Sequence, residues 1–341
     1  KIPIEKKRGC GYNSIQNTKM RAGGTMVEVS GQSKPKAVYQ RAYAKINLTI
    51  EIFNKRPDGY HEVSMLMQSV RLWDDVKIIA AQTPEIHMSC NVPFLKADEK
   101  NIAYRAAKLM QERFSIQQGV LIELGKQIPI AAGLAGGSAD AAAVIRGMNR
   151  LFHLNLSAAQ MMQIGEEIGS DVPFCVIGGT CLATGRGEKV QRVKPMPDAH
   201  IVLIKPNFGI STPWAYEHFD QETVTKRPDE RKMLEAIERR DLAAVGQELV
   251  NMLEPAAIQE YPVIAQIKED LLHMGAAGAA MSGSGPTVFG LFSRYDQARA
   301  AVRFCKGKYP WRYQVMCCRV YSPVGRRRYG KGQSSQRGDT L

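Results

Sequence analysis

The sequence predicts an α+β protein with two domains. A chain of 341 residues is long enough to bury more than one hydrophobic core. Apolar segments with a period of two alternate with segments of helical period, and a Pro-rich connector at about 192–199 divides them into two groups. We therefore expect one domain at 37–194 and a second at 195–321.

The two ends of the chain differ in composition from this body. Residues 1–36 contain eight Lys/Arg and two Asp/Glu, and residues 322–341 contain five and one. These ends hold most of the net charge of +13, which leaves only +3 for residues 37–321. Their polar, basic and glycine-containing composition is typical of disorder, so we expect two disordered extensions. The nearly neutral body argues against a protein that binds nucleic acid.

The composition also indicates the cellular compartment and argues against a metal site. No apolar run approaches the roughly 18–20 residues of a membrane span, and residues 1–24 show no signal-peptide core. The seven cysteines form no Cys-x-x-Cys pair, and the six histidines have no metal-ligand spacing. We expect a cytoplasmic protein with reduced thiols and no structural metal.

The first group of elements begins with a strand at 42–53, where apolar residues alternate with polar ones. Arg56-Pro-Asp-Gly59 predicts a tight turn, because Pro presets φ and Asp-Gly accommodates the bend. Ser157 is expected to cap a helix that runs to Ile168 and is broken by 169–173. The other predicted elements are a strand at 76–80, a helix at 101–114, a strand at 120–124 and a helix from the alanine run at 139–144 to about Phe152.

The second group predicts the order strand, helix, helix, strand, helix, strand, which is an α+β sandwich. We expect strands at 200–205, 287–292 and 314–321, and helices from Thr212, within 232–250, at 262–274 and at 295–304. The small residues at 275–281 are assigned to no element.

The most informative segment is the glycine-rich stretch 129–139, which lies between a predicted strand and an alanine-rich helix. A glycine turn at a helix N-terminus presents free amides and the positive end of the helix dipole, and both favour an anion. The spacing fits neither a Walker A loop, since Ser138 follows Gly137 with no lysine between, nor a dinucleotide fingerprint. We interpret the segment as a phosphate-binding loop; a tight turn that only packs helix on sheet is the alternative.

Two further segments could also contribute to an anion-binding site. Lys45 and Asn47 lie two apart on a predicted strand and therefore face the same side. A lysine there is costly to bury unless it meets an anion; the alternative is an edge-strand lysine that discourages aggregation. A second glycine-rich stretch, 281–289, enters a strand and by itself could be only a turn.

Together these segments resemble the GHMP kinases. Pro129, Gly133, Leu134, Gly136, Gly137, Ser138 and Ala139 match the family's ATP-phosphate loop. The order of Lys45-Ile-Asn47, Asp58-Gly-Tyr-His61, this loop, Gly169-Ser-Asp171 and 283–289 is most similar to members that phosphorylate 4-diphosphocytidyl-2-C-methyl-D-erythritol. The resemblance covers about 38–321 and excludes both extensions.

The resemblance implies a two-domain GHMP kinase fold. Its N-terminal, ATP-binding domain at 37–194 would be ribosomal-protein-like with a left-handed βαβ crossover, against the usual right-handed rule. Its C-terminal domain at 195–321 would be a ferredoxin-like α/β sandwich. It also implies transfer of a phosphoryl group from ATP, with Mg²⁺, to the 2-hydroxyl of that cytidylyl substrate in the non-mevalonate isoprenoid pathway.

The resemblance further implies roles for single residues. Asp171 matches the catalytic base, although a helix-ending Asx turn is its bland alternative, and Lys45 matches the lysine that stabilises developing charge. The remaining matches fall into two groups: Asn101, Lys126, Pro129, Ala132, Gly133, Leu134, Ala135, Gly136, Gly137, Ser138 and Ala139 for the nucleotide, and Asn47, Tyr60, His61 and Tyr216 for the cytidylyl substrate. Tyr216 could equally be a core aromatic. Alanines at 131, 132 and 135 replace possible glycines and are expected to keep φ negative.

Two rival functions remain at this point: another GHMP kinase, acting on homoserine or mevalonate, and an RNA-binding protein that uses the basic ends. Ser138 is the most plausible protein ligand of Mg²⁺, and no carboxylate ligand can be assigned. The expected partners are small molecules, with the chain a monomer or a homodimer and with no specific nucleic acid or membrane.

Overall fold

A computed structural model describes residues 20–22, 25–27 and 36–323. The strands are β1 (Met20–Ala22), β2 (Thr25–Val27), β3 (Ala37–Lys55), β4 (His61–Ala80), β5 (Ile86–Cys90), β6 (Val120–Gly125), β7 (Thr180–Thr184), β8 (Lys189–Arg192), β9 (His200–Lys205), β10 (Val250–Asn251), β11 (Gly278–Met281), β12 (Val288–Phe292) and β13 (Gln314–Arg319). The helices are α1 (Ile102–Arg113), α2 (Gly136–Leu151), α3 (Ala158–Glu166), α4 (Val172–Ile177), α5 (Thr212–Glu217), α6 (Glu230–Glu238), α7 (Leu242–Gln247), α8 (Glu254–Glu260), α9 (Val263–His273) and α10 (Tyr295–Lys308).

The larger sheet has the order β10-β3-β4-β6-β5, with β7 added to β4 and β8 to β7. Its centre is the long antiparallel pair β3–β4, and α2 packs on both of these strands and on α1. The alanine-rich face of α2 lets the helix approach the sheet closely, and Ala141, Ala142 and Ala143 are fully buried. This layer therefore holds the start of α2 beside the sheet.

Strand β3 contributes to the two larger hydrophobic clusters of the described residues. Ile46 and Leu48 belong to the first cluster, under α1 and α2, whereas Ile50 and Ile52 belong to the second. A register shift between Asn47 and Thr49 separates the two pairs, and such irregularities bend a strand and re-aim its side chains. Lys45 and Asn47 consequently lie where the two clusters meet.

The smaller sheet is antiparallel in the order β11-β12-β9-β13, with α9 and α10 packed on it. In chain order its elements follow the βαββαβ pattern of a ferredoxin-like sandwich. The expected C-terminal architecture is confirmed. The sheets are joined because β10, from the second half of the chain, pairs parallel with Thr49 and Ile50 of β3.

Several predicted strands are longer in the structure, and the structure contains additional short elements. The strands expected at 42–53 and 76–80 are parts of β3 and β4, and the helix at 101–114 is α1 with Asn101 as its N-cap. Ser157 forms the expected cap, as a full capping box with Gln160. Strands β5, β7, β8, β10 and β11 and helices α4 and α8 were not predicted, because these short segments depend on pairing and packing with distant residues.

Some expectations are left open by the described residues. Strand β5 pairs parallel with β6 around α1, but the left-handed crossover and the boundary at 194/195 stay predictions. The short pair β1–β2 lies in the extension expected to be disordered; the rest of 1–36 apart from Lys36, and 324–341, lie outside the described residues. None of the described helices combines the length and apolar character that a bilayer crossing needs.

Candidate active site

A cleft of about 1050 Å³ is lined by residues from both halves of the chain. Its wall contains sixteen of the seventeen site residues expected from the sequence: Lys45, Asn47, Tyr60, His61, Asn101, Lys126, Pro129, Ala132, Gly133, Leu134, Ala135, Gly136, Gly137, Ser138, Asp171 and Tyr216. The exception is Ala139, which is buried in the core and donates its amide to the Ala135 carbonyl at 2.9 Å. Its amide is used within α2, so Ala139 lies behind the cleft wall, and its contact with a nucleotide stays a prediction.

The glycine loop is fixed from two sides. The Lys45 amide of β3 donates to the Leu134 carbonyl at 3.1 Å, and the Ser282 hydroxyl donates to the Gly133 carbonyl at 2.9 Å. A Cβ on Gly133 would lie 2.0 Å from the Ser282 carbonyl oxygen. Only glycine permits this backbone contact between the two glycine-rich segments.

The backbone of the loop alternates in the sign of φ. Ala131, Gly133 and Ala135 have φ of 50°, 70° and 55°, while Ala132 and Leu134 between them keep negative values. The expectation that the alanines keep φ negative is wrong at 131 and 135. Alternating right- and left-handed residues turn successive amides towards one concave side, an arrangement that binds anions.

Helix α2 begins directly after this alternation and has no side-chain cap. Within the part of the chain that the structure describes, the amides of Gly136, Gly137 and Ser138 have no hydrogen-bond acceptor, and neither does the Ser138 hydroxyl. Free amides at the N-terminus of a 16-residue helix favour a bound anion.

Lys45 is buried, with 4% of its surface exposed, and its ammonium has two partners. Its Nζ lies 2.6 Å from Asn47 Oδ1 and 3.6 Å from Asp171 Oδ2. Asn47 is held in turn by its Nδ2 contact with Met65 Sδ at 3.6 Å. This burial excludes the alternative of an exposed edge-strand lysine.

Asp171 stands at the first residue before α4 without capping that helix. Pro173, two residues on, has no amide N–H that could close an Asx turn. The alternative interpretation of Asp171 as a helix-ending Asx turn is therefore excluded. Its side chain is 30% exposed beside the buried Lys45. A carboxylate in this position can meet a hydroxyl group in the cleft.

Three rings lie at the other end of the cleft. His61 stacks on Tyr216, with centroids 5.5 Å apart and planes at 22°, and Tyr60 is exposed on the turn held by Asp58. Burial lowers the pKa of His61, and Lys55 lowers it further, so the ring favours the neutral form. Burial and the nearby Asp171 raise the pKa of Tyr216 to about 12. Tyr216 packs on the second cluster and also lines the cleft, which combines its two interpretations.

Lys126 lies in a buried cluster with two carboxylates. Its Nζ is 2.5 Å from Asp74 Oδ2 and 2.6 Å from Asp140 Oδ2. Asp74 also accepts the amides of Gln127 and Ile128, whereas Asp140 Oδ1 is buried with no partner among the described residues. Burial raises the pKa of Asp140 to about 8: desolvation outweighs the Lys126 ammonium, and Asp74 adds to the rise.

Asn101 has a structural task as well as a place in the cleft wall. Its Oδ1 accepts the Ala103 amide at 3.0 Å and its Nδ2 donates to the Lys96 carbonyl at 3.1 Å, so it caps α1. The capping shows how the sequence positions this edge of the cleft.

A family model described as GHMP kinases N terminal domain matches residues 101–179, and one described as GHMP kinases C terminal matches 233–310. A protein of Acetivibrio thermocellus named 4-diphosphocytidyl-2-C-methyl-D-erythritol kinase is 48% identical over 258 residues, covering 76% of this chain and 91% of that protein. The chain belongs to the GHMP kinases, in the 4-diphosphocytidyl-2-C-methyl-D-erythritol kinase family.

Other relatives agree with this assignment. A Bacillus subtilis protein of the same name is 46% identical over 254 residues, covering 74% of this chain and 88% of that protein. A crystal structure of 4-(cytidine 5'-diphospho)-2C-methyl-D-erythritol kinase matches with a TM-score of 0.71 at 29% identity, over 83% of this chain and 99% of that one. A homoserine kinase from Cytophaga hutchinsonii, at 19% identity and a TM-score of 0.68 over 86% and 97%, shares the fold. The two-domain GHMP kinase fold is confirmed, and the chain is an ATP-dependent small-molecule kinase.

Sequence reasoning missed three residues that this kinase places at or behind the cleft. Asp140 looks like a helix residue in an alanine run, and Arg186 like a polar residue of a hairpin. Asn251 of β10 donates to the Met281 and Gly283 carbonyls, both at 2.8 Å, and so holds the second glycine loop. Gly185 and Gly187 on either side of Arg186 were the available signal of a specialised turn.

The first prediction concerns Gly133. In Gly133→Ala the new Cβ would collide with the Ser282 backbone, so we expect a lower unfolding temperature and at least about tenfold weaker ATP binding. Gly275→Ala is the control, since Gly275 also has positive φ but its nearest neighbour is 3.7 Å away. The control should lose only the roughly 1–2 kcal/mol of left-handed strain. Equal losses in both variants would mean that the contact between the loops is not tight.

The second prediction concerns the pH dependence of stability. The folded-state pKa of Asp140 lies above its ordinary value of 3.8, so the folded protein keeps a proton that the unfolded chain releases. The free energy of unfolding should therefore decrease as pH rises from about 4 to about 8. Asp140→Asn removes this titration.

Urea unfolding at pH 5, 6.5 and 8 measures the effect. The stability of Asp140→Asn relative to the parent should improve by at least about 1 kcal/mol between pH 5 and pH 8, which corresponds to roughly one unit of pKa. Asp296→Asn, an exposed residue on α10, should change little with pH over this range. Parallel pH dependences of the parent and Asp140→Asn would contradict the assigned shift.

Proposed function

We propose that this kinase transfers the γ-phosphoryl group of ATP to the 2-hydroxyl of 4-diphosphocytidyl-2-C-methyl-D-erythritol. One observation carries the proposal: the buried Lys45 and its partly exposed partner Asp171 line the same cleft as a loop of free amides and a cluster of aromatic rings. A phosphoryl donor, a reacting hydroxyl and a base can thus share one cleft. The names of the relatives supply the chemical identity of the acceptor.

The nucleotide would bind along the glycine loop. The alternating φ signs at 131–135 and the free amides of 136–138 favour the phosphates. Asn101 and Lys126 lie at this side of the cleft wall, close to the start of α2, and the ideal Cβ position of Gly136 is 3.4 Å from Lys126 Nζ. The absence of a side chain at Gly136 leaves Lys126 next to the bound nucleotide.

Asp171 would accept the proton of the attacking hydroxyl. Phosphoryl transfer depends mainly on positioning and on neutralising charge. The Lys45 ammonium, fixed by Asn47 and Asp171, would stabilise the developing alkoxide and the transferred phosphoryl group. Because these groups are held before substrate binds, little reorganisation is needed during the reaction.

The cytidylyl end of the acceptor would meet Tyr60, His61, Tyr216 and Asn47. A neutral His61 can donate or accept at a pyrimidine edge, and its lowered pKa favours that form. Stacking of a base on an aromatic ring contributes about 1–3 kcal/mol. Because Asn47 already accepts a hydrogen bond from Lys45, its position also couples this end to the reacting group.

The residues at the loop fit Mg²⁺ that is bound mainly through phosphate oxygens. The Ser138 hydroxyl has no partner among the described residues, and those residues contain no cluster of three or more His, Cys, Asp or Glu side chains suited to a metal. Ser138 would hold the ion, which would neutralise charge on the phosphates. We also propose a cytoplasmic location and a monomeric or homodimeric state.

The third prediction is a test of acceptor choice. With ATP and Mg²⁺ in excess, a coupled assay should detect ADP formation with the cytidylyl substrate and at most about 1% of that rate with homoserine or mevalonate. The physical reason is that homoserine and mevalonate carry no base that could stack on the aromatic rings of the cleft. Comparable turnover of either would favour another GHMP activity, and salt-dependent RNA binding without ATP consumption would favour the nucleic-acid rival.

The fourth prediction concerns the base. Asp171→Asn should lower kcat by roughly 10²- to 10⁴-fold, the usual contribution of a positioned base. ATP affinity, measured by calorimetry without acceptor, should stay within about threefold. Asp296→Asn serves as the matched control and should keep full activity. Near-normal kcat in Asp171→Asn would remove Asp171 as the base.

A further inference from the structure

The hairpin between β7 and β8 places Arg186 in the wall of the cleft. Its tip consists of Gly185, Arg186 and Gly187, and both glycines have positive φ, of 75° and 107°. A Cβ on Gly187 would lie 2.6 Å from the methyl carbon of Met65 and 3.9 Å from Ser170 Cβ. The tip therefore packs against the residue that holds Asn47 and against the residue before Asp171.

The guanidinium of Arg186 has few strong partners in this position. It lies 5.3 Å from the Tyr60 ring centroid, and its ion pairs with Glu166 and Glu188 are long, at 3.8 and 3.9 Å. Within the described residues none of its N–H groups makes a hydrogen bond, and the side chain is 30% exposed in the cleft wall. A guanidinium has five donors, so Arg186 keeps its hydrogen-bonding capacity for an anionic ligand despite these two long ion pairs.

Glu188 holds the backbone of the hairpin more closely than it holds the Arg186 guanidinium. Its Oε2 accepts the Arg186 amide at 2.6 Å and the residue is buried, with 8% exposed. The backbone of the tip is therefore fixed independently of the Arg186 side chain. The side chain can turn to a ligand without loosening the hairpin.

We propose that Arg186 binds the diphosphate that links the cytosine end of the acceptor to its reacting alcohol. This rests on the proposed function, in which the base lies at Tyr60 and the hydroxyl at Asp171. Arg186 contacts the Tyr60 ring and its neighbour contacts Ser170, so it lies between those two ends. A guanidinium binds two phosphate oxygens in parallel, and this contact selects diphosphate-linked acceptors over uncharged ones.

The other cations of the cleft are less suited to this task. Lys45 and Lys126 are buried and paired with carboxylates. Lys55 pairs across the sheet with His61, at the base end. Lys96 and Lys100 lie beside Asn101 at the start of α1, on the nucleotide side. Among the described cations that line the cleft, Arg186 is the one that contacts the Tyr60 ring and whose neighbour packs near Ser170.

Calorimetric titration with cytidine and with cytidine 5'-diphosphate tests the proposal. The nucleotide site is first saturated with a nonhydrolysable ATP analogue, so that the probes report on the acceptor site. Arg186→Ala should weaken binding of the diphosphate roughly 10- to 100-fold, the size expected for charge-assisted hydrogen bonds, and that of cytidine by less than about threefold. Arg186→Lys, which keeps the charge but loses the paired contact, should lie between.

Arg294→Ala is the matched control, because it removes one positive charge from an exposed residue directly before α10 and should change neither affinity. Unfolding temperatures of the variants exclude a general loss of structure. The proposal is overturned if Arg186→Ala weakens both probes equally, if it weakens neither, or if the parent does not prefer the diphosphate to cytidine. Turnover of the full acceptor by the parent, measured separately, tests the proposed function, so the two failures are distinguishable.

Discussion

The backbone contact between the two glycine-rich segments fixes the rest of the active site. Gly133 meets the Ser282 carbonyl so closely that no side chain fits between them, and each segment is tied to β3. Leu134 accepts the Lys45 amide, while Asn251, paired beside Ile50, holds the Met281 and Gly283 carbonyls. One strand thus positions the loop that would bind phosphate and the lysine that would face the reacting group.

The protein buries two lysines at the cleft and stabilises each with acidic partners. Burying an unpaired ammonium would be costly. Lys45 is matched by Asp171 and Asn47, and Lys126 by Asp74 and Asp140. The pairs differ in exposure: Asp171 reaches the open cleft, whereas Asp140 keeps an unpaired oxygen in the interior. The first arrangement suits proton transfer, and the second makes the stability of the fold depend on pH.

The sequence predicted much of the candidate site because the relevant signals are local. The glycine spacing at 133–137, the alanine run after it and the turn at 56–59 each depend on neighbouring residues, and all are found in the structure where expected. The expectation of negative φ at Ala131 and Ala135 was wrong. Contacts from residues 282–285 and from β3 hold the loop with positive φ at these positions, and they lie far away in the sequence. Arg186 and Asp140 were missed since nothing in their own neighbourhoods shows an unused donor or an unpaired oxygen.

By itself the sequence determined the α+β class, most helices and the longer strands, and the residues from which the cleft is built. Periodicity, caps and glycine turns act over a few residues, so they can be recognised without the fold. Only the tertiary structure decided that β10 joins β3, that Lys45 meets Asp171 and that Arg186 lies between Tyr60 and the segment before Asp171. These contacts join residues far apart in the chain, and their burial and charge depend on how whole sheets and helices pack.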